Sequence, residues 1–288
     1  MAKSEFERRC VELAVDRTRG ASELARFCLK ALCDSALQNP AGAPPDLRRL
    51  LREQAAALAA ARPSMAPIDN LLSRWLRDLD ALPEEDLAAL RQGASEAANR
   101  LCRISRVAVE RAAAHAARLI GAGKTVLSHS LSSTVLTVFA RLGEEGVTAV
   151  ISESRPLCEG HKLAESLCGW GIPVTLVTDA QLGLFAGQAD LALVGADSLL
   201  ADGSVVNKAG TYPLALAARD QGIPFYVCCE SFKRHESTTD PPPLEEMDPA
   251  ELDAPERPGL TVRNIYFDIT PARLVSAWID ENGVRRGE

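Results

Sequence analysis

Five short apolar runs in the second half of the chain are each followed at once by polar residues that could do chemistry. Hydroxyl groups and a histidine follow the first run, and at least one carboxylate follows each of the others. These segments are His129–Ser133, Glu153–Pro156, Thr178–Asp179, Gly195–Asp197 and Glu230–Lys233. In open α/β sheets, ligands bind beyond the carboxyl ends of the strands. The spacing therefore predicts that the five segments meet at one sheet edge and form a ligand site.

The residue types in these segments suit an anionic ligand. His129–Ser133 leads directly into a predicted helix, so its amides and hydroxyls could hold a phosphate at the positive end of the helix dipole. Arg155 offers a bidentate guanidinium and Lys208 a point charge. Asp197 stands at a strand end, where a carboxylate contacts sugar hydroxyls or moves protons. Taken singly, Arg155 is also consistent with a surface salt bridge, and Asp197 with a turn or a helix cap.

Metal and cofactor motifs are missing from the sequence. The four histidines are scattered, and their spacing predicts no metal site. Gly121–Thr125 resembles the end of a P-loop, but it precedes a predicted strand and Arg118 stands where that motif needs glycine. The eight cysteines include no Cys-x-x-Cys pair and are predicted to be reduced and mostly buried. We therefore expect no metal and no cofactor.

The elements that must position these residues form an α/β pattern from about residue 119 onwards. The predicted strands are Thr125–Ser128, Val147–Ser152, Val174–Thr178, Leu191–Val194 and Phe225–Cys229, and the helices between them are Ser132–Leu142, His161–Trp170, Gln181–Phe185 and Tyr212–Gln221. Alternation of this kind predicts right-handed crossovers and a parallel sheet. Continuously apolar strands indicate that helices cover both of its faces. An ordered run at Val262–Phe267 and a final helix after Pro271 complete the prediction.

Residues 1–118 are predicted to be helical. The expected helices are Val11–Leu37, Asp46–Ala61, Ile68–Leu79 and Pro83–Leu119. The predicted fold is thus α/β, with a helical N-terminal domain over 1–118 and an open-sheet domain with a mainly parallel sheet over 119–288. The stretch Ser237–Gly259, rich in Pro, Asp and Glu, is either a lid or a solvated connection.

Composition limits the class of protein. The chain has 288 residues, of which 47% are hydrophobic and 25% charged, as in a soluble globular protein. Its net charge of −7 argues against a general nucleic-acid binder. No run reaches the roughly 20 apolar residues of a membrane span, and the charged start is unlike a signal peptide. We expect a cytoplasmic protein that binds neither membranes nor nucleic acid directly.

Several segments together resemble a known superfamily. Gly195–Tyr212 closely resembles the signature shared by the initiation factor 2B alpha, beta and delta subunits, methylthioribose-1-phosphate isomerase and ribose-1,5-bisphosphate isomerase. Glu153–Gly160, Cys229–Lys233 and Asn264–Pro271 are similar to further motifs of that superfamily. In the helical part, Arg19–Ala21 and Arg62–Ser64 match elements that hold substrate phosphates in the isomerases. The resemblance implies a helical N-terminal domain followed by a Rossmann-like ligand-binding domain over 119–288, and dimers or higher homo-oligomers that bind a phosphorylated small molecule.

The resemblance also implies roles for individual residues. Asp197 matches the catalytic aspartate of the isomerases, and Ser130 stands at the position of their catalytic cysteine. The residues implied to bind substrate are Arg19, Gly20, Ala21, Arg62, His129, Arg155, Asn207 and Lys208. The serine is a departure with consequences, because a thiol has a pKa near 8.5 and exchanges protons readily, whereas a hydroxyl is far less acidic.

Two functions from different classes remain open. One is a protein like the initiation-factor subunits, which binds a sugar phosphate or a nucleotide-like ligand without turnover. The other is an active aldose–ketose isomerase that uses Asp197 on a ribose phosphate. Ser130 and the segment Ser132–Leu136 favour the first, whereas Asp197, Arg19–Gly20 and Asn207–Lys208 favour the second.

Overall fold

The computed structural model describes residues 5–83, 85–235 and 244–287. Residues 237–243, which belong to the predicted lid or connection, lie outside the described residues. The chain divides into two compact units, Met1–Val107 and Ala108–Glu288. No helix among the described residues is long and apolar enough to cross a membrane.

The first unit is helical. Its helices are α1 (Glu5–Val15), α2 (Ala21–Gln38), α3 (Pro44–Ala61), α4 (Ala66–Asp80) and the first part of α5 (Leu87–Ile120). The single helix predicted over Val11–Leu37 is two helices, because Asp16 Oδ1 accepts the backbone N–H groups of Thr18 and Arg19 and turns the chain. Helix α5 begins at Leu87, since Asp86 Oδ1 accepts the first free N–H groups of that helix.

The second unit contains a seven-stranded sheet. Its strands are β1 (Thr125–Ser128), β2 (Thr148–Ser152), β3 (Val174–Val177), β4 (Leu191–Val194), β7 (Phe225–Cys228), β9 (Ala277–Asp280) and β10 (Gly283–Arg286). Their order across the sheet is β10-β9-β7-β4-β1-β2-β3, and only β10 runs antiparallel to its neighbour. The chain moves outward from β1 to β3 and then returns to the other side of β1 as β4. The topological switch point therefore lies between β1 and β4.

Helices cover both faces of this sheet. They are α6 (Ser133–Leu142), α7 (Gly160–Gly169), α8 (Leu182–Ala186), α9 (Thr211–Asp220) and the second part of α5. Neighbouring strand residues enter opposite cores, with Leu127 and Val194 in one and Val126 and Leu193 in the other. This arrangement explains why the strands are continuously apolar, and the predicted fold class is confirmed.

A second, three-stranded antiparallel sheet was not predicted. It has the order β5-β6-β8, formed by Ser198–Leu199, Val205–Lys208 and Phe267–Thr270. The predicted final helix after Pro271 is wrong, because the chain makes one 3₁₀ turn at Ala272–Leu274 and then enters β9 and β10. The apolar residues Ala277–Ile279 are buried and pair with β7. Burial beside β7 favours extended backbone over a helix for this segment.

Candidate functional site

Ser130 lies in a constrained loop between β1 and α6. Its φ of 67° places it in the left-handed region, which costs energy for a residue with a Cβ. Its backbone N–H donates to Ser154 Oγ at 2.7 Å, and its hydroxyl donates to Glu159 Oε1 at 3.1 Å. The loop after β2 therefore fixes both the backbone and the hydroxyl of Ser130.

Glu159 connects Ser130 to a shielded lysine. Lys208 Nζ lies 2.9 Å from Glu159 Oε1, and the two side chains are only 7% and 17% exposed. The same ammonium lies 3.8 Å from the centroid of the Tyr266 ring, a cation–π contact. Glu159 Oε2 is buried and has no hydrogen-bond partner within the described ranges. The carboxylate thus retains acceptor capacity that neither Ser130 nor Lys208 uses.

The segments after β1 and β4 are packed against each other. A Cβ on Gly195 would lie 2.4 Å from Ser132 Oγ, so glycine is needed where these two segments meet. Asp197 follows two residues later, and its backbone N–H donates to Val206 O at 2.9 Å. Ser130 and Asp197 therefore follow the two strands that flank the switch point, where open α/β sheets form a ligand crevice.

The second sheet positions Asn207 and Lys208. Both residues are buried on β6, and Asn207 Nδ2 donates to Thr211 Oγ1 at 2.9 Å. Asp268 pairs with Asn207 across the sheet, and its Oδ2 accepts the backbone N–H groups of Gly210 and Tyr212 at the start of α9. Burial raises the pKa of Asp268 to about 6, although those N–H groups act to lower it.

His129 lies beneath the loops and contacts protein on both ring nitrogens. Its Nδ1 is 2.6 Å from Ser152 Oγ and its Nε2 is 2.9 Å from the carbonyl oxygen of Ala209. A carbonyl only accepts, so Nε2 carries the proton and Nδ1 accepts from the serine. Burial lowers the pKa of His129, although Asp179 at 3.7 Å acts to raise it. The ring is therefore neutral and holds the loops after β1, β2 and β6 together.

Arg155 extends from the loop after β2 and is exposed. The carboxylate of Asp179, which follows β3, accepts the backbone N–H groups of Ser154 and Arg155 at 2.8 and 2.7 Å. One guanidinium nitrogen of Arg155 lies 3.5 Å from Leu252 O, at the limit of a hydrogen bond. Asp179 thus fixes the backbone at Arg155, and the guanidinium group of Arg155 stays accessible.

In the first unit, Arg19 and Arg62 meet at Asp16. Arg19 Nε donates to Asp16 Oδ2 at 2.7 Å, and Arg62 Nη1 donates to the carbonyl oxygen of Asp16 at 3.1 Å. Arg19 also pairs with Glu12 at 2.6 Å. Burial raises the pKa of Asp16, but the N–H groups of Arg19 and Thr18 and the Arg19 guanidinium outweigh that effect, and the pKa is lowered.

Gly20 and Ala21 stand at the start of α2. Gly20 is the cap residue, and Ala21 is the first helical residue and is buried. Of the phosphate-binding residues predicted in the helical unit, Gly20 and Ala21 thus form the start of α2. Arg19 and Arg62 both contact Asp16.

Sequence reasoning missed the residues that hold the site together. Glu159 and Asp268 lie inside segments that resemble the family motifs. No local pattern pairs Glu159 with Ser130, or Asp268 with the start of α9. The buried ammonium of Lys233 was missed in the same way: it donates to the carbonyl of Ala196, next to Asp197, and lies 3.9 Å from the buried Glu230. The signal that could have found them is a charged residue inside an otherwise buried motif.

Comparison with known proteins agrees with this architecture. The model of the initiation factor 2 subunit family matches residues 17–286. A ribose 1,5-bisphosphate isomerase of Haloterrigena turkmenica is 34% identical over 288 residues, which cover 94% of this chain and 87% of that protein. A putative translation initiation factor eIF-2B subunit 2-like protein of Pyrococcus abyssi is 36% identical over 276 residues, covering 95% and 93%.

A solved structure shows the same fold. The translation initiation factor eIF-2B of Pyrococcus horikoshii OT3 superposes with a TM-score of 0.86 at 33% identity, and the match covers 98% of this chain and 97% of that one. The resemblance inferred from the motifs is therefore confirmed along nearly the whole chain.

Proposed function

Because this chain belongs to the initiation factor 2 subunit family, we propose that it binds a phosphorylated ribose-type sugar at the carboxyl edge of the seven-stranded sheet. Relatives with full-length similarity are named as isomerases of such sugars and as initiation-factor-like proteins. The pocket consists of the segments after β1, β2 and β4 together with Asn207 and Lys208 of β6.

One observation carries the proposal. Ser130 and Asp197 follow the two strands at the switch point, and the Glu159–Lys208 pair lies directly on the Ser130 hydroxyl. Glu159 Oε2 has no hydrogen-bond partner within the described ranges. An unsatisfied buried carboxylate oxygen costs free energy, and a terminal carboxylate torsion is soft. A sugar hydroxyl that donates to Glu159 after a small rotation would remove that cost.

The phosphate contacts follow from charge and exposure. Arg155 offers an accessible guanidinium, which binds phosphate in a bidentate manner. The N-terminal amides of α6, next to Ser132, add the positive end of a helix dipole. We extend the phosphate-binding role to Arg19 and Arg62 on the family resemblance. There the ligand would compete with Asp16 for the Arg19 guanidinium, since that carboxylate contacts it at 2.7 Å.

Slow turnover follows from Ser130. Isomerisation of an aldose to a ketose needs a group that takes a proton from one carbon and a group that returns it to the next. Asp197 supplies one such group. The Ser130 hydroxyl is a much weaker acid than the thiol of the isomerases.

An active isomerase is the second candidate function. The hydrogen bond from Ser130 to the Glu159 carboxylate favours it, because a hydroxyl held by a base is the arrangement that activates weak nucleophiles and acids. The two candidates share one pocket and differ only in rate.

Calorimetric titration tests whether the protein binds a sugar phosphate. The ligands are ribose 1,5-bisphosphate and 5-methylthioribose 1-phosphate, with ribose as the uncharged control. At 100 times its dissociation constant, a ligand should also stabilise the fold by about 2.7 kcal/mol in thermal unfolding. Absence of both signals for both phosphates would contradict the proposal.

Self-association in the cytoplasm is part of the same proposal. It rests on the family resemblance alone. Sedimentation at micromolar concentration should give a dimer or larger, and a monomer would contradict it.

A further inference from the structure

The loop that carries Arg155 and Glu159 also brings together three side chains that the proposed function does not use. They belong to Glu153, Cys158 and His161, and their donor atoms all lie within 4.8 Å of one another. Glu153 and Cys158 are half-buried and His161 is exposed. The sequence predicted no metal site because the four histidines are scattered and the cysteines form no Cys-x-x-Cys pair.

None of the three side chains has another strong partner in the described part of the chain. The Glu153 carboxylate and the His161 imidazole make no hydrogen bond or ion pair there. The Cys158 thiol has one weak contact, 3.8 Å to the carbonyl oxygen of Pro156. A carboxylate, an imidazole and a thiol therefore lie close together with donor capacity left to bind a metal.

Backbone hydrogen bonds fix the positions of these side chains. Gly160 N–H donates to Glu153 O at 3.1 Å, and Cys158 N–H donates to Ser154 O at 3.0 Å. His161 N–H donates in turn to Cys158 O at 3.0 Å. A Cβ on Gly160 would lie 1.8 Å from Ser152 O, so only glycine permits this closure. The three donors thus project from a closed loop at the start of α7.

We propose that Glu153, Cys158 and His161 form a binding site for a divalent transition metal, best suited to Zn²⁺. Sulfur, imidazole nitrogen and carboxylate oxygen are the three donor types that zinc takes in proteins. Tetrahedral coordination at zinc bond lengths puts donor atoms roughly 3.4–3.6 Å apart. The donor atoms of the three side chains lie within 4.8 Å of one another, so zinc binding requires them to move closer together.

Three protein donors leave one coordination position open. On binding, the Cys158 S–H bond breaks, its proton passes to the buffer, and a sulfur–zinc bond forms. The fourth position takes water or a donor atom from a ligand, as in zinc sites with three protein ligands. Arg155 and Glu159 lie in the same loop, so bound zinc would also restrain two residues of the sugar-phosphate site. The metal site itself does not depend on that proposed function.

Calorimetric titration of the tag-free protein with Zn²⁺ tests the site. We expect one zinc per chain, with affinity at least tenfold weaker in Cys158→Ser and in His161→Asn. Cys168→Ser is the matched control, because Cys168 is an exposed thiol on α7 outside the cluster. Titration in buffers of different ionisation enthalpy should show about one proton released by the wild type and by Cys168→Ser. Cys158→Ser should release none.

Cobalt provides an independent readout. Co²⁺ bound to a thiolate gives a sulfur-to-metal charge-transfer band, which should appear in the wild type and in Cys168→Ser but not in Cys158→Ser. Circular dichroism should show that Cys158→Ser and His161→Asn are as folded as the wild type. Zinc binding that is unchanged in those two folded variants, or no stoichiometric zinc in the wild type, would overturn the proposal.

Discussion

Lys208 and Glu159 form an ion pair, 2.9 Å between Nζ and Oε1, in which both charges are largely removed from solvent. Such a pair costs desolvation energy on both sides, and it is retained because each charge compensates the other. It also joins the two parts of the candidate site, since Glu159 belongs to the loop after β2 and Lys208 to the second sheet.

Removal of one partner of this pair should destabilise the fold. Glu159→Gln keeps an acceptor for the Ser130 hydroxyl but leaves the ammonium of Lys208 without its carboxylate. We expect a loss of about 3 kcal/mol in the free energy of unfolding, measured by denaturant titration. Lys208→Met should lose a similar amount, and the double variant should lose clearly less than the sum of the two. Strict additivity in this double-mutant cycle would show that the two charges do not interact.

Phosphate binding should depend on Arg155 and Lys208. Charge-assisted hydrogen bonds contribute on the order of 1.5–3 kcal/mol, so Arg155→Ala and Lys208→Ala should each weaken ribose 1,5-bisphosphate binding about tenfold or more. Lys124→Ala and Arg219→Ala are matched controls. Arg219 is exposed, the Lys124 side chain is 44% exposed, and Lys124 stands just before β1, at the opposite end of that strand from Ser130. Equal affinity in the wild type and both site variants would mean that the pocket is misplaced.

Asp268 should make the protein less stable as the pH rises. Its pKa is about 6 in the folded chain, above the value of about 4 for an unfolded aspartate, so the folded state holds the proton more tightly. The free energy of unfolding therefore falls between about pH 4 and pH 6, by roughly 2–3 kcal/mol.

The effect of Asp268 is isolated by subtraction of the Asp268→Asn profile from that of the wild type. The difference should decline over that pH window and stay level above it. A flat or rising difference for Asp268→Asn would contradict the assigned burial.

The sequence predicted the elements whose signal is local. The bounds of β1 and β4 agree with the structure, because Thr125–Ser128 and Leu191–Val194 are short apolar runs between turns and helices. It failed for β6 and β8, whose pairing joins Asn207 to Asp268 across about 60 residues, and for the strand at Ala277–Asp280. The sequence of one strand contains no pattern that identifies its pairing partner, so periodicity could not reveal these strands.

The same limit applies to the candidate site. Ser130, Arg155, Asp197 and Lys208 could be named from strand ends and motifs. The contact of Glu159 with Ser130 and Lys208 could not, since it depends on how the loop after β2 closes and on where the second sheet lies.

We propose that Ser130 limits the rate of isomerisation in an otherwise complete sugar-phosphate pocket. Ser130→Cys exchanges one side-chain atom, so ligand affinity should change little. A positioned acid or base contributes roughly 10²–10⁴ in rate, and we therefore expect Ser130→Cys to raise isomerisation by a measurable part of that range. Asp197→Asn in the same background should remove the gain. Ser166→Cys, which adds a thiol on α7 outside the segments that form the site, is the matched control and should gain nothing.

The deciding measurement is the rate of ribose 1,5-bisphosphate isomerisation, followed by NMR, in the wild type, Ser130→Cys and Ser130→Cys/Asp197→Asn. We predict a slow or inactive wild type that binds the sugar, a faster single variant and a slow double variant. A wild type that is already fast, or a Ser130→Cys variant that binds the sugar and gains no rate, would contradict it.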